Sequence, residues 1–317
     1  MKLRKILITG SFGFVGSNLS KAMKDDIKCN LIAIDIYEST NHVYDEFFSW
    51  TDIAVVDWNN IDVIIHLAGK AHDTKNQTNS EEYFEINTGL TKKVYDWFLK
   101  SNAKKFIFFS SVKAAADTVD GEFLTEEIIP KPIGPYGESK IAAEKYILNK
   151  LSKDKQVYIL RPCMIHGPGN KGNLNLLYKI VSKGIPWPLG GFDNKRSFCS
   201  IDNITYTITK LIEEDIELGI YQVADDRPLS TNHLISLIGK SLGKKDKIWN
   251  INNSFVKSMA KTGDYLKLPL NSERLKKLTE SYVVSNEKLK KALGIKNMPI
   301  TAEDGMMRTL ESFGKKD

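Results

Sequence analysis

Residues 10–16 decide the fold, since they read Gly-Ser-Phe-Gly-Phe-Val-Gly and directly follow the apolar run Ile6–Thr9. The three glycines stand where this run gives way to helical periodicity through Met23. In such a strand-to-helix turn, the first glycine permits the tight bend, the second lets backbone N–H groups approach a pyrophosphate, and the third lets the helix press on the sheet. The turn therefore predicts a dinucleotide site formed by Gly10, Ser11, Phe12, Gly13, Phe14, Val15 and Gly16.

The alternation of strand and helix continues through the first half of the chain. The strand candidates are Lys5–Thr9, Leu31–Asp35, Val63–Leu67, Phe106–Ser110 and Val157–Leu160. These runs are almost continuously apolar, as is typical of parallel strands that helices cover on both faces. We therefore expect an α/β fold with a doubly wound parallel sheet of the Rossmann type.

After Pro162 the alternation gives way to loops, with isolated strand candidates at 221–223 and 248–251. A chain of 317 residues also favours two domains, at roughly 150 residues per domain. We expect residues 1–162 to form the Rossmann domain. Residues 163–317 should form mainly a smaller C-terminal α/β substrate lobe, some of whose segments return to the first domain.

The composition excludes several classes of protein. A chain with 42% hydrophobic and 26% charged residues is typical of a globular protein, and no apolar run approaches the roughly 20 residues that span a bilayer. The net charge of +6 comes from scattered lysines, which argues against a nucleic-acid partner. Cys29, Cys163 and Cys199 lack the spacing of a disulfide framework or a zinc site. We expect a cytoplasmic protein without a metal.

The second strand ends in Asp35, 19 residues after Gly16. A carboxylate at this position can accept hydrogen bonds from the hydroxyls of the adenosine ribose. Its negative charge would repel a 2′-phosphate. The sequence therefore predicts NAD as the cofactor in preference to NADP.

Tyr136 and Lys140 carry the chemistry that the sequence predicts. They lie four residues apart, just after Gly134-Pro135, which places them on one face of a helix. The reference pKa of a phenol is near 10, and a nearby ammonium lowers it by favouring the phenolate. Ser111 follows the strand candidate 106–110, at the edge where ligands bind in open α/β sheets. Tyr136 is thus a candidate acid/base, and the Ser111 hydroxyl can hold the reacting oxygen.

Together these motifs resemble the extended short-chain dehydrogenase/reductase family that acts on nucleotide sugars. The resemblance also rests on His66-Leu67-Ala68-Gly69, Asn87 and Arg161-Pro162, and it covers nearly the whole chain. It implies that Tyr136 is the acid/base, that Lys140 holds the nicotinamide ribose and lowers the Tyr136 pKa, and that Ser111 binds the C4 oxygen of the sugar. The further cofactor-binding residues that it implies are Leu67, Ala68, Gly69, Asn87 and Pro162.

The second half resembles the family's substrate-binding part. Asn173 and Leu174, in the loop 167–174, are similar to its pyrophosphate-contacting loop, and Pro188 and Leu189 to the strand that brackets the uracil. Arg196 matches the arginine that grips the diphosphate, a role that suits a bidentate guanidinium. The resemblance therefore implies a UDP-sugar as the substrate, and it leaves a homodimer open.

Departures from the family pattern reduce the number of reactions that the sequence leaves open. Sugar-nucleotide 4,6-dehydratases of the family place an Asp-Glu pair just after the catalytic hydroxyl, because removing water needs an acid and a base. This chain has Val112-Lys113 there, which argues against a dehydratase. Ala114–Ala116 replaces the usual Tyr-Gly, and Met164 stands where many 4-epimerases carry an asparagine.

Three functions follow from this comparison. The chain most resembles bacterial 4-keto reductases of UDP-6-deoxy-N-acetylhexosamines in surface polysaccharide biosynthesis, through 110–113, the loop 167–174 and 278–285. Asp35 favours the alternative, a 4-epimerase of UDP-glucose or UDP-N-acetylglucosamine that retains its NAD. A non-catalytic NAD sensor is the third, and the intact Ser111, Tyr136 and Lys140 argue against it.

Overall fold

The computed structural model describes residues 3–70, 79–170, 172–266 and 271–314. Lys171, which belongs to the loop 167–174 that the sequence assigns to substrate binding, lies outside the described residues.

A seven-stranded parallel sheet forms the centre of the molecule. Its strands are β1 (Arg4–Thr9), β2 (Cys29–Asp35), β3 (Glu46–Ser49), β4 (Val63–His66), β5 (Lys105–Phe109), β6 (Gln156–Pro162) and β9 (Gly219–Val223). Their order is β3-β2-β1-β4-β5-β6-β9. A separate parallel pair consists of β7 (Met164–His166) and β8 (Phe198–Ser200). The predicted doubly wound α/β fold is confirmed.

The helices connect these strands and build the smaller lobe. They are α1 (Phe14–Asp26), α2 (Ser80–Tyr83), α3 (Thr91–Lys100), α4 (Pro135–Leu148), α5 (Asn173–Ser182), α6 (Ile201–Glu213), α7 (Thr231–Ser241), α8 (Asn253–Leu266), α9 (Ser272–Thr279), α10 (Glu287–Ala292) and α11 (Ala302–Gly314). A π-helical segment, Phe84–Leu90, joins α2 to α3, and a short 3₁₀ turn spans Val112–Ala114. In the described part of the chain, no helix combines the length and apolar character needed to cross a bilayer.

Apolar side chains cover the sheet on both faces. Along β1, Ile6 and Ile8 belong to one buried cluster and Leu7 to another, since successive side chains of a strand point to opposite faces. A third cluster, which includes Leu174 and Leu189, forms the core of the lobe. The continuous apolar runs of the strands thus reflect burial on both faces.

Of the two strand candidates in the second half, one is confirmed and one is wrong. Tyr221–Val223 belongs to β9, which pairs with β6 in the main sheet. The segment 248–251 forms only isolated bridges, of Ile248 with Trp187 and of Asn250 with Leu189. In the first half, β3 was not predicted at all. Each of these outcomes depends on which distant segment a strand pairs with, and a local pattern does not encode that choice.

Candidate active site

Parallel pairing brings the predicted site residues to one edge of the sheet. Asp35 is the last residue of β2 and Pro162 the last of β6, while Ser111 follows β5 by two residues. The glycine loop at 10–13 follows β1, and Leu67–Gly69 follows β4. Because all these strands run the same way, their carboxyl ends share an edge, and β1 and β4 flank the point where the strand order reverses.

Two glycines of the stretch 10–16 have no room for a side chain. Gly10 has φ of 68°, and a Cβ there would lie 2.8 Å from the backbone nitrogen of Ala68. A Cβ on Gly16 would lie 2.5 Å from the carbonyl oxygens of Gly10 and Ser11. The glycines are therefore needed for the turn itself and for the packing of α1 against it.

Asp35 and Tyr44 hold the glycine loop in place. The carboxylate of Asp35 accepts hydrogen bonds from the backbone N–H of Phe12 at 2.8 Å and of Ile36 at 2.7 Å. The Tyr44 hydroxyl donates to the carbonyl of Ser11 at 3.1 Å. The Ser11 side chain is buried and donates to the carbonyl of Ile8 at 2.6 Å. Its hydroxyl therefore stabilises the loop and is not exposed at the surface. The sequence did not predict these loop contacts.

We expect the protein to prefer NAD over NADP because of the Asp35 charge. In Asp35→Asn, which keeps an oxygen for the Phe12 N–H, the ratio of NADP to NAD affinity should rise about tenfold or more. A like-charge contact near a protein surface is worth on the order of 1–4 kcal/mol. Calorimetric titration of both cofactors measures the ratio. Equal affinities in the unmodified protein would contradict the role of Asp35.

Tyr136 lies near the start of α4, half-buried, and forms a side-chain hydrogen bond with Ser111. Its ring contacts that of Tyr83 edge-on, with 6.1 Å between the centroids. Burial raises the pKa of Tyr136 above its usual value, and the hydrogen bond with Ser111 opposes this. The lowering of the Tyr136 pKa by Lys140, which the resemblance implies, stays a prediction.

Lys140 is buried one helical turn beyond Tyr136. Its Nζ donates to the carbonyl of Phe109 at 2.8 Å. Burial lowers the pKa of Lys140 to about 8, and the charge of Glu144 opposes this shift. A Cβ added to Gly69 would lie 3.0 Å from the Lys140 Nζ, so the ammonium lies beside the loop that follows β4.

Asn87 connects the loop that follows β4 with α4 through hydrogen bonds. Its Oδ1 accepts from the backbone N–H of Lys70 at 2.7 Å, and its Nδ2 donates to the Ser139 hydroxyl at 3.0 Å. Asn87 is fully buried in the π-helical segment between α2 and α3. The structure therefore supports a positioning role for Asn87, between the predicted cofactor loop and the helix of Tyr136.

A buried charge network that the sequence did not predict lies under the site. Arg161 donates to Glu144 through Nε at 2.9 Å and Nη2 at 2.5 Å, and Glu144 also accepts from the Ser110 hydroxyl. Both charged side chains are almost completely buried. The i, i+4 spacing of Lys140 and Glu144 could have indicated where Glu144 lies, since it puts both side chains on one helix face.

The residues at this edge fit a dinucleotide. The glycine loop opens α1, whose N-terminal N–H groups and partial positive charge favour a pyrophosphate. Gly10 lies close to Ala68, and Gly69 lies close to Asn87 and Lys140. At these two positions the site is therefore lined by backbone and not by side chains. Asp35 provides a carboxylate beside the loop.

The substrate residues predicted in the second half lie in the lobe. Leu174 and Leu189 are buried in its apolar core, so a contact with substrate there would use the backbone. Asn173, the first residue of α5, and Pro188 are exposed. The Arg196 guanidinium donates to carbonyls at the end of α9, to Glu280 at 3.1 Å and to Lys277. Within the described ranges, its Nη1 makes no hydrogen bond.

Comparison with known proteins identifies the family. The model of the NAD dependent epimerase/dehydratase family matches residues 6–224. A UDP-glucose 4-epimerase of Vibrio cholerae is 32% identical over 98% of this chain and 95% of its own length. An N-acetyl-alpha-D-glucosaminyl-diphospho-ditrans,octacis-undecaprenol 4-epimerase of Escherichia coli O157:H7 is 28% identical over 76% of this chain and 73% of its own.

Solved structures share the fold along the whole chain. That of UDP-N-acetylglucosamine 4-epimerase from Bacillus cereus matches with a TM-score of 0.76 and 19% identity, covering 99% of this chain and 98% of that one. The resemblance seen in the sequence is thus confirmed. The chain belongs to the NAD dependent epimerase/dehydratase family, and it is an NAD-dependent enzyme of the extended short-chain dehydrogenase/reductase type.

Proposed function

We propose that this enzyme transfers hydride at C4 of a UDP-sugar. The observation that carries the proposal is the hydrogen bond between Ser111 and Tyr136 at the carboxyl edge of β5, beside the Lys140 ammonium and the loop after β4. Such a pair of hydroxyls can hold one oxygen atom and exchange one proton with it. Bound NAD supplies or accepts the hydride.

The roles of the side chains follow from this arrangement. Ser111 binds the C4 oxygen of the sugar, and Tyr136 gives a proton to that oxygen when a ketone is reduced or takes one when an alcohol is oxidised. Lys140 holds the nicotinamide ribose. Asn87 fixes the position of α4 relative to the loop after β4. Residues 1–162 bind the cofactor and 163–317 mainly bind the sugar nucleotide.

The residues after Ser111 support chemistry at C4 alone. The Lys113 Nζ donates to the backbone carbonyl of Asp117 at 3.0 Å and to the carboxylate of Asp117 at 3.1 Å. It also lies over the Tyr282 ring. Val112 is buried. Neither residue supplies the carboxyl pair that removal of water needs, which supports a reaction at C4 without dehydration.

Reduction of a UDP-4-keto-6-deoxy-N-acetylhexosamine is the first reaction that we propose. The subgroup resemblance supports it, and burial favours the protonated form of Tyr136, which reduction requires. UDP-hexose 4-epimerisation is the second, supported by Asp35 and by the relative named UDP-glucose 4-epimerase. The two are separated by parallel incubations, one without added NADH and one with it. Conversion of UDP-N-acetylglucosamine to its C4 epimer identifies an epimerase, whereas stoichiometric NADH consumption with the ketone alone identifies a reductase.

Arg196 tests the assignment of the lobe to a nucleotide diphosphate. Truncation to alanine should weaken UDP binding by roughly 2–5 kcal/mol, the range for leaving a buried charge unpaired, with little change in NAD affinity. Because the guanidinium also binds the end of α9, the melting temperature of the variant is measured first. Arg196→Lys keeps the charge and should lose less. Calorimetric titrations that give similar UDP affinities for the parent and the alanine variant would remove the diphosphate role.

A further inference from the structure

His66 lies in a buried line of hydrogen bonds, although the proposed chemistry does not use it. It is the last residue of β4 and is fully buried. Its Nδ1 lies 2.7 Å from the hydroxyl oxygen of Thr9, and its Nε2 lies 3.0 Å from that of Thr91. Both threonines are fully buried as well. The imidazole therefore connects the end of β1 with the start of α3.

The other partners of the two threonines determine which ring nitrogen carries the proton. The Thr9 hydroxyl accepts from the backbone N–H of Ala68 at 3.2 Å, so its own proton is available for Nδ1. The Thr91 hydroxyl gives its only proton to the carbonyl of Asn87 at 2.6 Å, so it can only accept from Nε2. His66 therefore donates through Nε2 and accepts through Nδ1, and each hydroxyl makes one bond of each kind.

A positive charge on this imidazole would be unfavourable. Protonation of Nδ1 would remove the acceptor of the Thr9 hydroxyl proton. The His66 ring stacks on that of Phe108, with 5.8 Å between the centroids, and the Lys140 Nζ lies 5.3 Å from the centroid of the same Phe108 ring. Burial, and after it the charge of Lys140, lower the pKa of His66 to about 3. His66 is thus neutral near pH 7.

The line of hydrogen bonds continues from Asn87 to the helix of Tyr136. The Asn87 Nδ2 donates to the Ser139 hydroxyl at 3.0 Å, and that hydroxyl donates to the backbone carbonyl of Tyr136 at 2.8 Å. The loop after β4 is bound to the same line through its backbone N–H groups at Ala68 and Lys70. A change in the bonds of the imidazole therefore affects both the predicted cofactor loop and the helix of the acid/base.

We propose that His66, as the neutral Nε2–H tautomer, is a positioning residue for the nicotinamide half of NAD. It fixes the loop after β4 and Asn87 where they meet the Lys140 ammonium. A Cβ on Gly69 would lie 2.8 Å from the Asn87 Oδ1 and 3.0 Å from the Lys140 Nζ. Because both of its ring nitrogens are bound by threonines, His66 acts through these neighbours and not on the substrate. The inference rests on the proposed function, which places the nicotinamide ribose beside Lys140.

NMR of the unmodified protein, labelled with ¹⁵N in its histidines, tests the tautomer. Couplings between the ring nitrogens and the carbon-bound ring protons show which nitrogen is protonated. His66→Gln lacks one of the five histidine signals and so assigns it. We expect His66 to remain in the Nε2–H form at about pH 5, where an ordinary histidine is protonated. A proton on Nδ1 at that pH would overturn the inference.

Thr91→Val tests the effect on the cofactor. Valine has nearly the shape of threonine but cannot accept from the His66 Nε2–H. The dissociation constant of NAD, measured by calorimetric titration, should rise about threefold to tenfold, the scale of one net hydrogen bond. The turnover number should fall about tenfold while KM for the sugar nucleotide stays near that of the parent, because the lobe is not changed. Thr91→Ser keeps the hydroxyl and should behave like the parent.

Thr207→Val is the matched control. Thr207 lies on α6, is also fully buried, and donates to the carbonyl four residues earlier at 2.8 Å, so this variant loses the same local bond. It should bind NAD like the parent, and melting temperatures establish that each variant is folded. Unchanged NAD affinity in Thr91→Val would overturn the inference, as would an equal loss in Thr207→Val. If the NMR and NAD results are as expected but no UDP-sugar is turned over, the role of His66 stands and hydride transfer at C4 fails.

Discussion

Replacing Tyr136 by phenylalanine should lower turnover by about a hundredfold or more, the scale expected for loss of a general acid/base. The change removes the hydroxyl that is hydrogen-bonded with Ser111 and keeps the ring that packs edge-on against Tyr83. NAD affinity should stay near that of the parent, because little of the cofactor surface is lost. Steady-state kinetics with the active UDP-sugar and calorimetric titration of NAD measure the two effects.

Tyr146→Phe is the matched control for this variant. Tyr146 lies on the same helix, but its hydroxyl donates to the carboxylate of Asp96 at 2.8 Å. The same chemical change should therefore leave turnover almost unaffected. If Tyr136→Phe retained activity within about tenfold of the parent, another group would have to be the acid/base.

Removing the Glu144 carboxylate should destabilise the folded protein by about 3–5 kcal/mol. Glu144 accepts two hydrogen bonds from Arg161 and one from Ser110, and the ion pair is almost fully buried. Glu144→Ala leaves the guanidinium without its partner in a place that water does not reach. Urea unfolding of the parent and the variant gives the difference in the free energy of unfolding.

Two further variants separate the charge from the packing. Glu144→Gln keeps an oxygen for Ser110 and should lose less than Glu144→Ala. The double variant Glu144→Leu/Arg161→Met removes both charges and should recover most of the loss, because an apolar pair can replace a buried ion pair of similar volume. A loss below about 1 kcal/mol in Glu144→Ala would show that the pair is not the support that we describe.

The motifs that the structure brings to one edge of the sheet are local in the sequence. The glycine loop, Asp35, Ser111 and the Tyr136–Lys140 pair each lie within a few residues of a strand end or on one helix face. Parallel strands then bring those ends to one edge without further information. The family and the fold could for this reason be predicted from short stretches.

What the sequence did not predict depends on distant partners. The pairing of β9 with β6, the contact of Glu144 with Arg161 and the hydrogen bond of Lys140 with the Phe109 carbonyl are examples. The last contact matters for the chemistry. The i, i+4 spacing placed Lys140 beside Tyr136, but it did not indicate that a backbone carbonyl would bind the ammonium or that burial would raise the Tyr136 pKa.

The most direct test of hydride transfer at C4 is an isotope experiment. The protein is incubated with a UDP-4-keto-6-deoxy-N-acetylhexosamine and NADH in which deuterium replaces both hydrogens at C4 of the nicotinamide. The sugar is then analysed by NMR and mass spectrometry. Our account predicts one deuterium at C4 of the product sugar and an equal loss of NADH. Deuterium at any other carbon would contradict hydride transfer at C4, and unconsumed NADH would contradict the reductase and leave the 4-epimerase.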